Sequence, residues 1–173
     1  MRFIRSIPLL LILTLGAAPA MAEEMKIGTV DMQKALQSVD AGKKAKAALE
    51  KEFNAKKKEV QTEEQSIRKA GEELEKQSLV MNDEAKNKKR GELQARIMKL
   101  QQSTAQSQAE LQEKERNLTK PIIDKLRAII ADMAKSKGYA VVLEKNENTV
   151  LFSHEKDDLT QAVIESFNKQ NKS

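Results

Sequence analysis

FNAKKKEVQTEEQSIRKAGEELEKQSLVM, residues 53–81, sets Phe53, Val60, Ile67, Leu74 and Met81 at intervals of seven and fills the space between them mostly with Lys, Glu, Gln and Ala. The fillers tolerate helix, and one apolar residue in two turns makes a stripe too narrow to lie on a globular core. Downstream, Leu93, Ile97, Leu100, Thr104, Ser107, Leu111 and Leu118 follow the four-three alternation of a coiled-coil seam. Two seams predict two helices. The whole stretch from Lys34 to Leu118 is 85 residues without a proline, with 34 charged side chains and one aromatic, Phe53. It can build long helices but no ordinary core.

The break between the helices falls at Leu79-Val80-Met81-Asn82-Asp83-Glu84, where three adjacent apolar residues disturb the heptad. Asn82 is placed as an N-cap, and Asp83 and Glu84 complement the dipole of the helix that follows. Folding back there predicts an antiparallel hairpin with arms of about 40 residues, roughly 60 Å long at 1.5 Å per residue. Gly71 and Gly91 stand at one level of this hairpin and predict a hinge, with close packing of the two helices, or chance, as the alternatives.

The first 22 residues combine Arg2 and Arg5, an apolar run from Ile7 to Ala18, and small residues at Ala20 and Ala22. This is the pattern of a cleaved secretory signal peptide, the alternative being an uncleaved anchor, for which the run is short. Export to the bacterial periplasm is the expectation. The chain has no cysteine, which excludes disulfides, thiolate catalysis and Cys-based metal sites. Removing residues 1–22 leaves 29 basic and 26 acidic residues, a net +3. Between Glu84 and Leu100 six basic residues (Lys86, Lys88, Lys89, Arg90, Arg96, Lys99) face two acids, a positive patch near the hairpin tip that charge alone reads equally as a solvated helix face.

Beyond Leu118 the composition changes. Pro121 opens a new helix or kinks an existing one, and Ile122, Ile123, Leu126, Ile129, Ile130 and Met133 form a broad apolar stripe that ends at Gly138, placed as a C-cap. Tyr139-Ala140-Val141-Val142-Leu143 and Thr149-Val150-Leu151-Phe152 flank a polar link and predict a β-hairpin. Asp158-Leu159-Thr160-Gln161 predicts a capping box opening a helix that buries Val163, Ile164 and Phe167, and Lys26–Asp31 reads as a further strand. The resulting division is 1–22 signal peptide, 23–33 plus 119–173 body, and 34–118 helical hairpin with its turn near 79–84. The fold class is mostly α with a small β body, the arm being inserted into a short-stranded core. A body of 66 residues without a disulfide predicts a homo-oligomer.

No catalytic, metal or cofactor site is expected. The single histidine, His154, stands beside a strand end, and the carboxylates are scattered among lysines with no ligand or triad spacing. Gly42-Lys43 is not a P-loop, because position 37 is Gln37 and Lys44 follows instead of Ser or Thr. Lys88-Lys89-Arg90 has no aromatic nearby for base stacking, so no specific nucleic-acid partner is expected.

Ile27-Gly28-Thr29-Val30-Asp31, the arm turn from Leu79 to Ala85, the run from Pro121-Ile122 to Gly138-Tyr139-Ala140-Val141-Val142-Leu143, and Asp158-Leu159-Thr160 together resemble the Skp, or OmpH-like, family of periplasmic chaperones over essentially the whole mature chain. The resemblance implies a homotrimer whose strands build a central body from which three hairpins hang around a cavity. It also implies an ATP-independent holdase for unfolded outer-membrane β-barrel proteins. On that reading Val60, Ile67, Leu74, Leu79, Val80 and Met81 meet the client. Lys86, Lys88, Lys89 and Arg90 attract acidic clients and anionic lipid headgroups. Ile27, Val30, Tyr139, Val141, Val142, Leu143, Val150, Leu151 and Phe152 form the oligomer body. A periplasmic coiled-coil spacer or adaptor is the competing reading, since seam residues also serve helix packing alone.

Overall fold

The computed structural model describes residues 25–146 and 148–171; the signal-peptide expectation lies outside them. In chain order come β1 (Ile27–Val30), α1 (Met32–Ser38), α2 (Asp40–Gln77), α3 (Asp83–Lys137), β2 (Val141–Glu144), a 3-10 turn (Glu155–Asp157) and α4 (Thr160–Gln170). Helices α2 and α3 pair into the long hairpin, and α2 alone, with 38 residues, is about 57 Å long at 1.5 Å per residue.

Local chemistry sets the helix ends. Asn82 adopts extended backbone, and its side-chain oxygen accepts from the Ala85 N–H at 2.8 Å, satisfying one of the donors orphaned at the start of α3. Gly138 closes that helix in the left-handed region (φ 68°), where a Cβ would be strained. Pro121 neither starts nor stops a helix. It sits inside α3, which runs unbroken for 55 residues from the hairpin tip into the body. Its missing N–H leaves the Asn117 carbonyl to solvent, which is tolerable because both residues are exposed.

The apolar interior lies at one end of the molecule. Ile122, Leu126 and Ile129 of α3 meet Val163, Ile164 and Phe167 of α4, Ala35 and Val39 around α1, Ala45 of α2, and Val30 and Leu159. Of these Ala35, Val39, Leu126 and Val163 are wholly shielded from solvent. Between Ala45 and Ile122 no described residue belongs to this core. The body therefore draws on α1 and the first turns of α2 as well as on the C-terminal elements.

The joint between α1 and α2 is tight. Val39 is extended (φ −68°, ψ 147°) between two helices, and the chain turns there so sharply that a Cβ on Gly42 would lie 1.7 Å from the Leu36 carbonyl oxygen. Only glycine permits that approach. The Asn168 side chain on α4 accepts from the Asp40 N–H at 3.0 Å, capping α2 from across the body.

The sheet corrects one expectation. Strand β2 pairs in parallel with β1, Ile27 opposite Val141 and Val30 opposite Glu144, and residues 149–152 form turn and bend instead of the second arm of a hairpin. The reason is the path of the following chain. Leu159 donates its N–H to the Thr29 carbonyl at 2.8 Å, and Asp158 bridges Thr29, so the segment after the loop takes the far edge of β1. The capping box is also not formed. The Asp158 carboxylate accepts from Thr160 N–H at 2.9 Å, while Gln161 reaches forward to Glu165, not back. The Thr160 hydroxyl accepts from Asp31 N–H at 2.9 Å, tying the start of α4 to the end of β1.

Glycines in this chain should split by environment. Gly42→Ala is expected to cost about 3 kcal/mol, the upper end for overpacking. Gly71→Ala and Gly91→Ala should each stabilise by about 1 kcal/mol through helix propensity. Urea denaturation of the three variants checks the signs, and amide exchange over residues 68–94 reports whether the paired alanines stiffen the outer arm.

Candidate functional site: the arm and the body edge

The two arm helices touch through a thin seam. Val60, Ile67 and Leu74 on α2 and Leu93, Ile97 and Leu100 on α3 are all half-buried, so each keeps part of its apolar surface in water. Polar contacts stitch the seam: Lys89 Nζ donates to Gln77 Oε1 at 2.7 Å, Lys56 lies 3.7 Å from Glu110, and Lys114 pairs with Glu52. Arg96 makes the densest set, donating to Glu63 Oε1 from Nε (3.1 Å) and Nη2 (2.9 Å) and from Nη2 to Ser66 Oγ (2.8 Å).

At the tip the expected residues come together. Leu79 is 91 % and Val80 87 % exposed, so neither packs on the hairpin that carries it. Met81 and Lys86 are half-buried, and Lys88, Lys89 and Arg90 are exposed in the first turns of α3. The result is an apolar point backed by cations. Two exposed apolar side chains escaped the sequence reading as contact surface. Phe53, a member of the heptad stripe, is 54 % exposed, and Met98, one place off the seam after Ile97, is 62 % exposed. Met98 was legible as off-seam; the openness at Phe53 was not.

Neither hinge candidate is required by packing. A Cβ on Gly71 would meet only Leu93 Cδ2 at 3.8 Å, and one on Gly91 nothing within 4 Å. Close approach of the helices thus explains neither glycine.

The body residues divide into two sets. Val30 is in the core, and Tyr139 and Val142 pack against it, whereas Ile27, Val141, Leu143, Leu151 and Phe152 are exposed and Val150 is half-buried. Among the described residues nothing pairs with the outer edge of β2. Leu151 and Phe152 project from the loop after β2, with the Phe152 ring edge-on to His154 at 5.2 Å. Lys145 and Asp158 clasp the base of that loop at 2.8 Å. Burial pushes the Asp158 carboxyl up, but hydrogen bonds from Lys145 and Thr160 outweigh it and hold the group below its ordinary value. The same hydrogen bond holds Lys145 above its own. On the opposite side Lys26 lies 4.2 Å over the Tyr139 ring and donates to the Lys137 carbonyl, placing a cation at the C-terminus of α3.

Among the described residues no group of three His, Asp or Glu is placed to hold a metal ion, and no helix is long and apolar enough to cross a membrane. The sequence profile of the family "Outer membrane protein (OmpH-like)" matches residues 26–167. This chain belongs to the OmpH-like family. Among solved structures, an OmpH-like protein from Caulobacter crescentus CB15, whose suggested role is that of an outer membrane chaperone, is similar with a TM-score of 0.73. The two are 18 % identical, and the alignment covers 84 % of this chain and 85 % of that one, which establishes a shared fold. No curated protein sequence matches. The OmpH-like fold thus accounts for both the hairpin and the small sheet at its root.

The loop clasp has a pH signature. A carboxyl whose pKa is lowered on folding stabilises the fold above its unfolded value, about 3.9, and that contribution is lost as the pH falls through the folded value. Asp158→Asn should therefore lower stability at pH 7 and flatten the acid side of the profile below about pH 4. Urea midpoints of variant and parent at pH 7 and pH 3 check this, the difference being smaller at pH 3.

Proposed function

We propose that the protein is an ATP-independent periplasmic holdase that binds unfolded outer-membrane β-barrel proteins and keeps them from aggregating in transit, residues 1–22 being a signal peptide that directs export and is cleaved. The observation that carries this reading is the arm tip, where Leu79 and Val80 stand almost fully exposed beside Lys86, Lys88, Lys89 and Arg90 at the end of a hairpin about 57 Å long. An unfolded barrel exposes alternating apolar side chains and open strand edges, both of which drive aggregation unless covered. Shielding them takes many weak apolar contacts and no chemistry. The half-exposed seam of Val60, Ile67 and Leu74 supplies such contacts along the arm, and family membership supports a chaperone role. The basic tip adds long-range attraction for acidic clients and for anionic lipid headgroups at the membrane surface.

The body serves assembly in this reading. A parallel pair of four-residue strands is too small to be stable alone, and β2 leaves an edge open beside exposed Val141, Leu143, Leu151 and Phe152. A second and third copy supply what is missing: Thr149–Phe152, which has strand composition but joins no strand among the described residues, finds a sheet edge on a neighbour, giving a homotrimer. Leu151→Glu should then dissociate the assembly, since a buried unpaired charge costs several kcal/mol. Deletion of residues 50–112 should leave it whole. Light scattering of both variants decides, and a monomeric arm deletion would contradict the division between arm and body.

Purified mature protein should suppress light scattering when a urea-denatured β-barrel is diluted into buffer without ATP. No suppression would favour the spacer or adaptor reading. Replacing Lys86, Lys88, Lys89 and Arg90 with Gln should slow capture severalfold at low salt and have little effect at high salt, because exposed charges act through a screened field. Equal loss under both conditions would argue against electrostatic steering.

A further inference from the structure

One row of side chains on α3 differs in chemistry from the rest of the arm. Each seam position from Leu93 to Leu111 is followed by a residue without charge, giving Gln94, Met98, Gln101, Ala105, Gln108 and Gln112. At 3.6 residues per turn these form a second row about 100° round the helix from the seam, and all six are exposed. The chain as a whole is 33 % charged, yet Leu100–Ala109 contains no charged side chain. On α2 the places one residue past Val60, Ile67 and Leu74 hold Gln61, Arg68 and Glu75, so the neutral row belongs to α3 alone.

The row is neutral without being apolar. Four glutamines carry it, and each amide offers an oxygen that accepts and an NH2 that donates. Among the described residues these four amides bond to no protein group, whereas Gln106, one row away, donates to Glu110 at 2.9 Å and Gln77 accepts from Lys89 at 2.7 Å. Met98, 62 % exposed, is the one large apolar member, too little to bury the face of another helix. What matches a row of uncharged donors and acceptors is the edge of an extended main chain, whose N–H and C=O groups stay unpaired until a neighbour is found. The row spans about 27 Å, the length of an extended segment of about eight residues. It begins just behind Lys86, Lys88, Lys89 and Arg90 on the same helix, where a client drawn to the tip arrives.

We propose that this row is a docking surface for the main chain of an unfolded client, Gln94, Gln101 and Gln108 bonding to the open edge of an extended segment whatever its side chains are. This rests on the holdase reading and adds the client group that is recognised, the peptide unit. Each such bond replaces one to water and is weak in net terms, so a client is held by several and released without other chemistry.

Alanine favours helix, so Gln94→Ala with Gln101→Ala and Gln108→Ala removes the amides and leaves the arm folded. At about 0.5 M NaCl, where the tip charges are screened, this variant should bind a fluorescent urea-denatured β-barrel about tenfold more weakly than the parent. Methionine at the same three positions keeps the length and adds apolar surface. It should weaken binding as alanine does, and tighter binding would overturn the proposal by showing an apolar contact. Gln61→Ala with Gln65→Ala on α2 should bind as the parent does, and an equal loss there would also overturn it. The parent should prefer a peptide copying one barrel strand to the same peptide N-methylated at every second residue, while the alanine variant should bind both alike. Parent-like binding by the alanine variant would overturn the main-chain surface and leave the holdase standing; a parent that binds no barrel would remove the holdase reading and this inference with it. A changed oligomeric state of the alanine variant in light scattering would assign the row to a second copy of the chain and overturn the proposal as well.

Discussion

Everything beyond residue 45 depends on one backbone contact, the seating of Gly42 against the Leu36 carbonyl. That approach lets α2 leave α1 at a sharp angle after a single extended residue, Val39, and brings Asp40 under the side chain of Asn168. The cap from α4 satisfies one of the N–H groups left free at the start of α2, and with the turn at Gly42 it fixes where that helix begins. With α2 aimed by this joint and α3 passing through the core as one rod, the hairpin leaves the body in a fixed direction.

Apolar burial is distributed accordingly. Leu126, Val163 and Val39 are shielded completely, whereas no residue of the outer hairpin enters the core. Cooperative stability thus resides at the root, and the arm depends on helix propensity, partial seam contacts and half-exposed ion pairs, each worth little singly. Local opening along the arm can therefore cost far less than unfolding the body. Under the proposed chaperone reading this is an advantage, since surface that is weakly held by its own partner helix remains available to another chain.

Much of this was legible in residue order. The heptad from Phe53 to Met81 announces the hairpin, Asn82 its restart and Gly138 its end, because each is a local rule that depends on few neighbours. The broad stripe from Ile122 to Met133 likewise predicts a helix against a core. What escaped depends on distant partners. The segment Thr149–Phe152 has strand composition, yet the chain after it is drawn to the far edge of β1 by Leu159 and Asp158, a competition that periodicity cannot reveal. The buried places of Ala35, Val39 and Ala45 followed from the joint and not from pattern, and Pro121 lies in an unbroken helix because its lost bond falls on a solvated face. At the arm, exposure of Leu79 and Val80 followed from their place in the turn, but the clasp of Arg96 on Glu63 and Ser66 needs the relative register of two helices to be known.

The separation of core from hairpin has a consequence for descent. Because no described residue between Ala45 and Leu118 packs into the core, seven residues can be gained or lost in each arm helix beyond them without disturbing the root, provided both change together and the seam stays in phase. Each such step would move the tip by about 10 Å. Reach is then a quantity that can be altered by duplication within the arm alone, while the joint at Gly42 and the elements around Leu126 are held to their present geometry.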